Sequence, residues 1–134
     1  MVVLFSVGCA STGAARSAGR GLESGAMRAL DVYLDCVYIH AEAMSGARGP
    51  ASAVADAALA SCERQHAHYC TAASDYLMSV APPDDRTQAH ERARARCSQT
   101  RDDAHGVLIG RVDEARAVAA QRLERALAEA AVAR

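Results

Sequence analysis

The segment "SCERQHAHYC", residues 61 to 70, holds two of the five cysteines of this 134-residue chain. Its cysteines, Cys62 and Cys70, are eight positions apart, which on an α-helix separates them by about 12 Å along the axis. A disulfide needs Cα atoms within about 7 Å, so the two cannot bond to each other. Eight positions also rotate a side chain by about 80°, so the two cysteines face different neighbouring helices.

Each cysteine of this stretch has a partner at the same distance from an adjacent turn. Cys36 and Cys62 lie equally far from Gly49, and the other pair is centred on Pro83 and Asp84. Residues that are level across an antiparallel helical hairpin can bond, although four cysteines allow three pairings, and reduced cysteines in a core are the alternative. We predict two interhelical disulfides, Cys36–Cys62 and Cys70–Cys97.

Apolar residues recur at steps of three and four along most of the chain, which is the period of a helix stripe. The spacing predicts helices over residues 22 to 45, 51 to 80 and from about 86 to the end. The predicted core stripes are Met27, Leu30, Leu34, Val37, Ala41 and Met44; Val54, Ala58, Cys62, Tyr69, Ala73, Tyr76 and Val80; and Ala93, Cys97, Ala104, Leu108, Val112, Ala115, Ala119, Leu123 and Ala126.

The segments between these helices carry turn signals. In "SGARGP", residues 45 to 50, the glycines suit a left-handed helix end and the proline suits a first turn. In "APPDDR", two prolines interrupt the helix and an aspartate can cap the next one. With 51% apolar residues, one Phe and no Trp, the composition also favours helix packing. We predict an all-α, antiparallel three-helix bundle with a long C-terminal helix.

The last predicted helix is longer than its partners. Antiparallel pairing about the second turn places Arg116 level with Ala51, which leaves about 18 residues, or roughly 27 Å of helix, beyond the hairpin. This part is expected to project or to bend, and Gly106 and Gly110 allow either. A frayed tail is the favoured interpretation, and a dimerising segment is the alternative.

The N-terminal run "VVLFSVG", residues 2 to 8, stands directly before Cys9. This run resembles the lipobox of bacterial lipoproteins, in which a small residue precedes a cysteine that receives a diacylglycerol before the signal is cut off. The resemblance implies a signal peptide over residues 1 to 8, which we expect to begin upstream of Met1, and lipidation at Cys9. Alternatives are a plain secretory signal and a structural terminus.

Residues 9 to 21 then form the lipidated cysteine and a flexible tether, since "ASTGAARSAGRG" is rich in Ala, Gly and Ser without an apolar face. The helical domain is expected over residues 22 to 134. Ala10 is not the Asp that commonly retains related lipoproteins at the inner membrane. The resemblance therefore implies the outer membrane, facing the periplasm, and the predicted disulfides agree with that oxidising compartment.

Two other residue patterns are candidates for binding sites, one for a metal and one for a nucleic acid. Cys62, His66 and Cys70 step by four along one helix, with His68 and His40 expected nearby, and could ligate Zn or Cu through thiolate sulfur and imidazole nitrogen. Oxidised cysteines cannot serve as thiolate ligands, and we predict no metal site. A basic run contains no aromatic residue for base stacking and is offset by acidic neighbours, so we expect a solvated helix face and no nucleic-acid partner. Its members are Arg86, Arg92, Arg94, Arg96 and Arg101.

The sequence contains no recognisable catalytic motif, although it has five histidines, and we expect neither an enzyme nor a cofactor. Its body, with "YLDCVYIHAE" and "VADAALASCE", weakly resembles small cysteine-paired helical proteins exported by high-GC bacteria. The expected function is that of a membrane-anchored structural or protein-interaction module. The alternative is a periplasmic protein that binds a metal or a small ligand through Cys and His residues.

Overall fold

The computed structural model describes residues 11 to 132, and their side chains from residue 18 onward. It contains helices α1 (Ser11–Met44), α2 (Ala51–Ser61), α3 (Glu63–Val80) and α4 (Arg86–Val132), with a 3₁₀ turn at Pro83–Asp85. The described residues form no strand. The predicted all-α class and the long C-terminal helix are confirmed.

The predicted second helix is divided at Cys62. The backbone there has φ −108° and ψ 18°, and the Cys62 N–H donates to the Leu59 carbonyl at 3.2 Å, one residue short of the α-helical partner. No Gly or Pro stands at this position, so helix propensity does not predict the break. The bundle is therefore built from three rods, of which the middle one consists of α2 and α3.

Helix α1 begins earlier than predicted. Residues 11 to 21, predicted as part of a flexible tether, are helical. Ala is the strongest helix former, and here its preference outweighs that of the interspersed glycines. Residues 20 to 24 are exposed, and the first buried residue is Ala26. The predicted signal and Cys9 lie outside the described residues.

The connections agree with the predicted turn chemistry at Gly49 and at the prolines, but Gly46 does not take a positive φ and no capping hydrogen bond to an aspartate side chain is seen among the described residues of the second turn. Gly49 takes φ +109°, a left-handed conformation that a side chain would strain, and Pro50 directly precedes α2. After α3, the Asp85 N–H donates to the Pro82 carbonyl at 3.0 Å and closes the turn into α4. These short connections place α1 and α4 parallel to each other and antiparallel to the middle rod.

The core matches the predicted stripes on the first half of α4 and on the middle rod except at Val80, which is 55% exposed at the end of α3, and it is shifted on α1. Met27 is 55% exposed, whereas Tyr33 is fully buried. The observed α1 face consists of Ala26, Ala29, Tyr33, Val37 and Ala41. It meets the middle rod and α4 in a cluster whose largest fully buried members are Tyr33, Leu108, Val37 and Val112.

Helix α4 runs without interruption past Gly106 and Gly110 and extends beyond the bundle. Residues 117 to 132 are all exposed, including Ala119, Leu123 and Ala126, which were predicted as core. Their apolar stripe continues the buried stripe of α4, but α1 has ended at Met44 and α2 begins at Ala51, so no element of the described chain covers it. These 16 residues span about 24 Å.

Candidate functional site

Two disulfides fasten the middle rod to its neighbours. Cys36–Cys62 joins α1 to the break between α2 and α3, with a Cα–Cα distance of 6.0 Å. Cys70–Cys97 joins α3 to α4, with a Cα–Cα distance of 5.5 Å. The two predicted pairings are confirmed, because the eight-residue step on the middle rod does present one cysteine to each neighbouring helix.

The two disulfides differ in their surroundings. Each disulfide joins a buried cysteine, Cys62 or Cys97, to a partly exposed one, but only Cys62 belongs to the main core cluster, against which Cys36 packs. Cys70 and Cys97 line a surface cavity of about 460 Å³ between α3 and α4. Cys36–Cys62 is therefore a core disulfide, and Cys70–Cys97 lies at the edge of the packed region.

A histidine fills the space beside the second disulfide. His66 is buried, and its Nε2 lies 3.2 Å from the Cys97 carbonyl oxygen and 3.7 Å from Cys70 Sγ. Because a carbonyl oxygen only accepts hydrogen bonds, Nε2 must carry the proton. The ring also contacts that of Tyr33, with 5.0 Å between centroids. His66 thus has a fixed tautomer and orientation next to a sulfur atom.

The candidate metal ligands are arranged differently from the sequence pattern. Cys62 and Cys70 are bonded to different partners, and His66 accompanies only Cys70. Within the described part of the chain, the Cys/His group whose ligand atoms converge, within 4.8 Å of one another, is Cys36, His40 and Cys62. His40 was predicted near Cys62, but its grouping with Cys36 was not, although His40 stands four positions after Cys36 as Cys70 does after His66.

Further polar contacts join α3 to α4 near His66. The Tyr69 hydroxyl lies 3.2 Å from the Thr100 hydroxyl, and Arg101 forms an ion pair with Glu63. The hydrogen bond from Arg101 lowers the pKa of the Glu63 carboxyl and raises the pKa of the guanidinium. Glu63 is exposed and Arg101 is partly exposed, so solvent screens the pair and it contributes little to stability.

The basic run on α4 lies mostly in solvent, as predicted. Arg86, Arg92, Arg94 and Arg96 are exposed, and Arg92 is paired with Asp85 at 2.8 Å. Only Arg101 is partly covered, by its contact with Glu63. The exposed members surround the first turns of α4 and do not form one continuous face, because their two-residue spacing rotates each by about 200°.

Tyr33 carries a polar group that the core does not satisfy. Its ring is fully buried, and its hydroxyl has no hydrogen-bond partner among the described residues. Burial is the main cause that raises the pKa of this phenol above its usual 10.0. Since the unfolded chain ionises first, the folded state loses stability as the pH rises above 10.0.

We expect Tyr33→Phe to leave the free energy of unfolding unchanged or to raise it by about 1 kcal/mol, because it removes an unpaired buried hydroxyl and keeps the ring. Urea unfolding followed by circular dichroism measures this value. Tyr38→Phe is the control on the partly exposed side of α1. A loss of more than about 1 kcal/mol in Tyr33→Phe would show that its hydroxyl is satisfied.

Comparisons of the chain with protein-family models, with curated proteins and with solved structures found no match. No helix among residues 11 to 132 combines the length and apolar character needed to cross a bilayer. Functional inference therefore depends on the disulfides, the exposed surfaces and the sequence patterns.

Proposed function

We propose that this protein is a lipid-anchored component of a bacterial cell envelope whose helical body serves as a structural or protein-interaction module. Residues 1 to 8 act as the signal peptide and Cys9 receives the lipid. The anchor holds the protein at the outer membrane, facing the periplasm. Catalysis, cofactors and nucleic-acid binding are not part of the proposal.

The observation that carries this proposal is the pair of disulfides. Both stabilise the helical body, and such bonds persist in oxidising compartments such as the periplasm. The lipobox-like run before Cys9 supports the same compartment from different residues. This run and Cys9 precede the described part of the chain, so their support for the proposal comes from the sequence.

The exposed end of α4 supports the interaction role. Leu123 and Leu127 are 62% and 63% exposed, and they lie on one face with Ala120 and Ala130, since these positions recur at steps of three and four. Arg122 and Arg125 lie toward the other side. An amphipathic helix of this kind binds through its apolar face, so the proposed partner presents a complementary apolar surface.

Replacing the lipidated cysteine tests the anchor. We expect Cys9→Ser to move the protein from the membrane to the soluble fraction, because a lipid chain holds a protein to a bilayer and serine accepts none. Helicity by circular dichroism should be unchanged. The native protein, extracted from membranes, should have an intact mass that begins at Cys9 with acyl chains attached.

Ala10→Ser is the matched control and should remain in the membrane fraction. A Cys9→Ser protein that stays membrane-bound would contradict the proposal, as would a native chain that keeps residues 1 to 8 and carries no lipid.

The alternative function, binding of a metal through Cys and His residues, is favoured by the convergence of Cys36, His40 and Cys62. It requires the reduced cysteines, because disulfide sulfurs are not thiolate ligands. If this alternative holds, reduced protein binds Co²⁺ with the absorption bands of tetrahedral thiolate coordination, and His40→Ala weakens them. Reduced protein without such bands would exclude it.

A further inference from the structure

The cavity beside Cys70–Cys97 has charged side chains on the same wall as the disulfide. Its wall includes both cysteines, together with His90 and Arg94 from the α4 turns that precede Cys97. Asp75 of α3 contributes a carboxylate to the same wall. The volume of about 460 Å³ falls within the range of small-molecule sites.

The two sulfur atoms have different environments. The His66 Nε2–H group, which donates to the Cys97 carbonyl, also lies 3.7 Å from Cys70 Sγ, within hydrogen-bond distance of sulfur. A hydrogen-bond donor at this position stabilises a thiolate on Cys70, which makes Cys70 the better leaving group. Cys97 shares its helix with Arg94, three positions before it, and this cation attracts an incoming anion.

We propose that Cys70–Cys97 is a thiol-exchange site for a small thiol that carries carboxylates, a role beyond the anchored module. The thiolate enters the cavity near Arg94 and attacks Cys97 Sγ. Its carboxylates are attracted by Arg94, and an ammonium group can donate to Asp75. These charges fit a thiol derived from amino acids.

The exchange is a two-electron reaction in two steps. In the first, the incoming sulfur bonds to Cys97 Sγ, the Cys70–Cys97 bond breaks, and its electron pair leaves on Cys70 beside His66. In the second, another thiolate attacks the bound thiol, which releases Cys97 as a thiolate. Two small thiols become one disulfide, the protein disulfide is reduced, and the two thiol protons pass to the cysteines.

The core disulfide provides an internal comparison. Cys62 is fully buried and Cys36 is partly exposed, so a thiolate reaches Cys36–Cys62 only from the side of Cys36, outside the cavity that holds Arg94, and the sequence separations of 26 and 27 make the two loops nearly equal in chain entropy. A difference in their rates of opening therefore reports local access and chemistry.

The test uses purified oxidised protein and reduced glutathione as the probe. Samples are alkylated at successive times and mapped by mass spectrometry. We expect Cys70 and Cys97 to be labelled at least about tenfold faster than Cys36 and Cys62, with the first glutathione adduct on Cys97. Equal rates, or faster opening of Cys36–Cys62, would overturn the proposal, and a first adduct on Cys70 would overturn the assigned attack.

A charge variant tests recognition of the carboxylates. We expect Arg94→Gln to slow exchange with glutathione about twofold, as a single exposed charge contact allows, and to leave exchange with neutral 2-mercaptoethanol unchanged. Arg96→Gln is the matched control, since Arg96 is exposed and not among the residues of the cavity wall. An Arg94→Gln protein that slows with both thiols or with neither would refute this binding role.

Discussion

Removal of the core disulfide by the double substitution Cys36→Ala and Cys62→Ala is expected to lower the free energy of unfolding by about 3 to 5 kcal/mol. Closing a loop of 26 residues restricts the unfolded chain by about 3.5 kcal/mol in the chain-entropy model. The loss of the fully buried Cys62 sulfur adds a packing term, because the neighbouring core does not collapse completely. Urea unfolding at equilibrium, followed by circular dichroism at 222 nm, measures the difference.

The matched control is the double substitution Cys70→Ala and Cys97→Ala. Its loop of 27 residues predicts nearly the same entropic loss, but this disulfide lies at the edge of the core, so its packing loss is smaller. The core variant should therefore be the less stable of the two. A loss below about 1 kcal/mol for the core variant would contradict our account of how the bundle is held together.

Arg116→Ala is expected to cost about 2 kcal/mol of stability. The guanidinium donates to the carbonyls of Ser45, Ala47 and Gly49 at 2.9, 2.7 and 2.9 Å, and so connects α4 to the loop between α1 and α2. A hydrogen bond to a charged group contributes about 1.5 to 3 kcal/mol, and the partial exposure of these groups lowers the combined value. The same urea experiment gives the loss.

Two further variants isolate the geometry of this contact. Arg116→Lys keeps the charge but cannot reach three carbonyls with a planar fork, so it should restore only part of the stability. Arg125→Ala, on the exposed end of α4, should change stability by less than about 0.5 kcal/mol. If Arg116→Ala behaves like Arg125→Ala, the loop does not depend on the guanidinium.

The cysteine pairing and the residue that lies opposite Arg116 could be predicted from the sequence. Both depend only on the positions of the two turns and on the number of residues between them. An antiparallel hairpin fixes which residues are level, and the turn residues mark its centre. The expectation that Arg116 lies level with Ala51 is met by its hydrogen bonds to the loop that ends just before Ala51. The same count of residues predicts that the end of α4 extends beyond the bundle.

The face of α1 could not be chosen in this way. Two neighbouring stripes, one through Met27 and Leu30 and one through Ala29 and Tyr33, both have helical spacing. The structure buries Tyr33 because its ring packs against His66 of α3, a contact between distant residues that periodicity does not encode. The break at Cys62, where the disulfide to α1 forms, is likewise not encoded by periodicity. His40, by contrast, lies beside Cys36 through the four-residue step of α1, which the sequence does show.

The parallel course of α1 and α4 determines how far the molecule reaches. Arg86 begins α4 at the end of the bundle where α1 also begins, and the 47 residues of α4 span about 70 Å. In the anchored protein that we propose, the lipid and the exposed leucines thus stand at opposite ends. The exposed apolar face at the end of α4 can therefore bind a partner far from the lipid headgroups while the protein stays attached to the membrane.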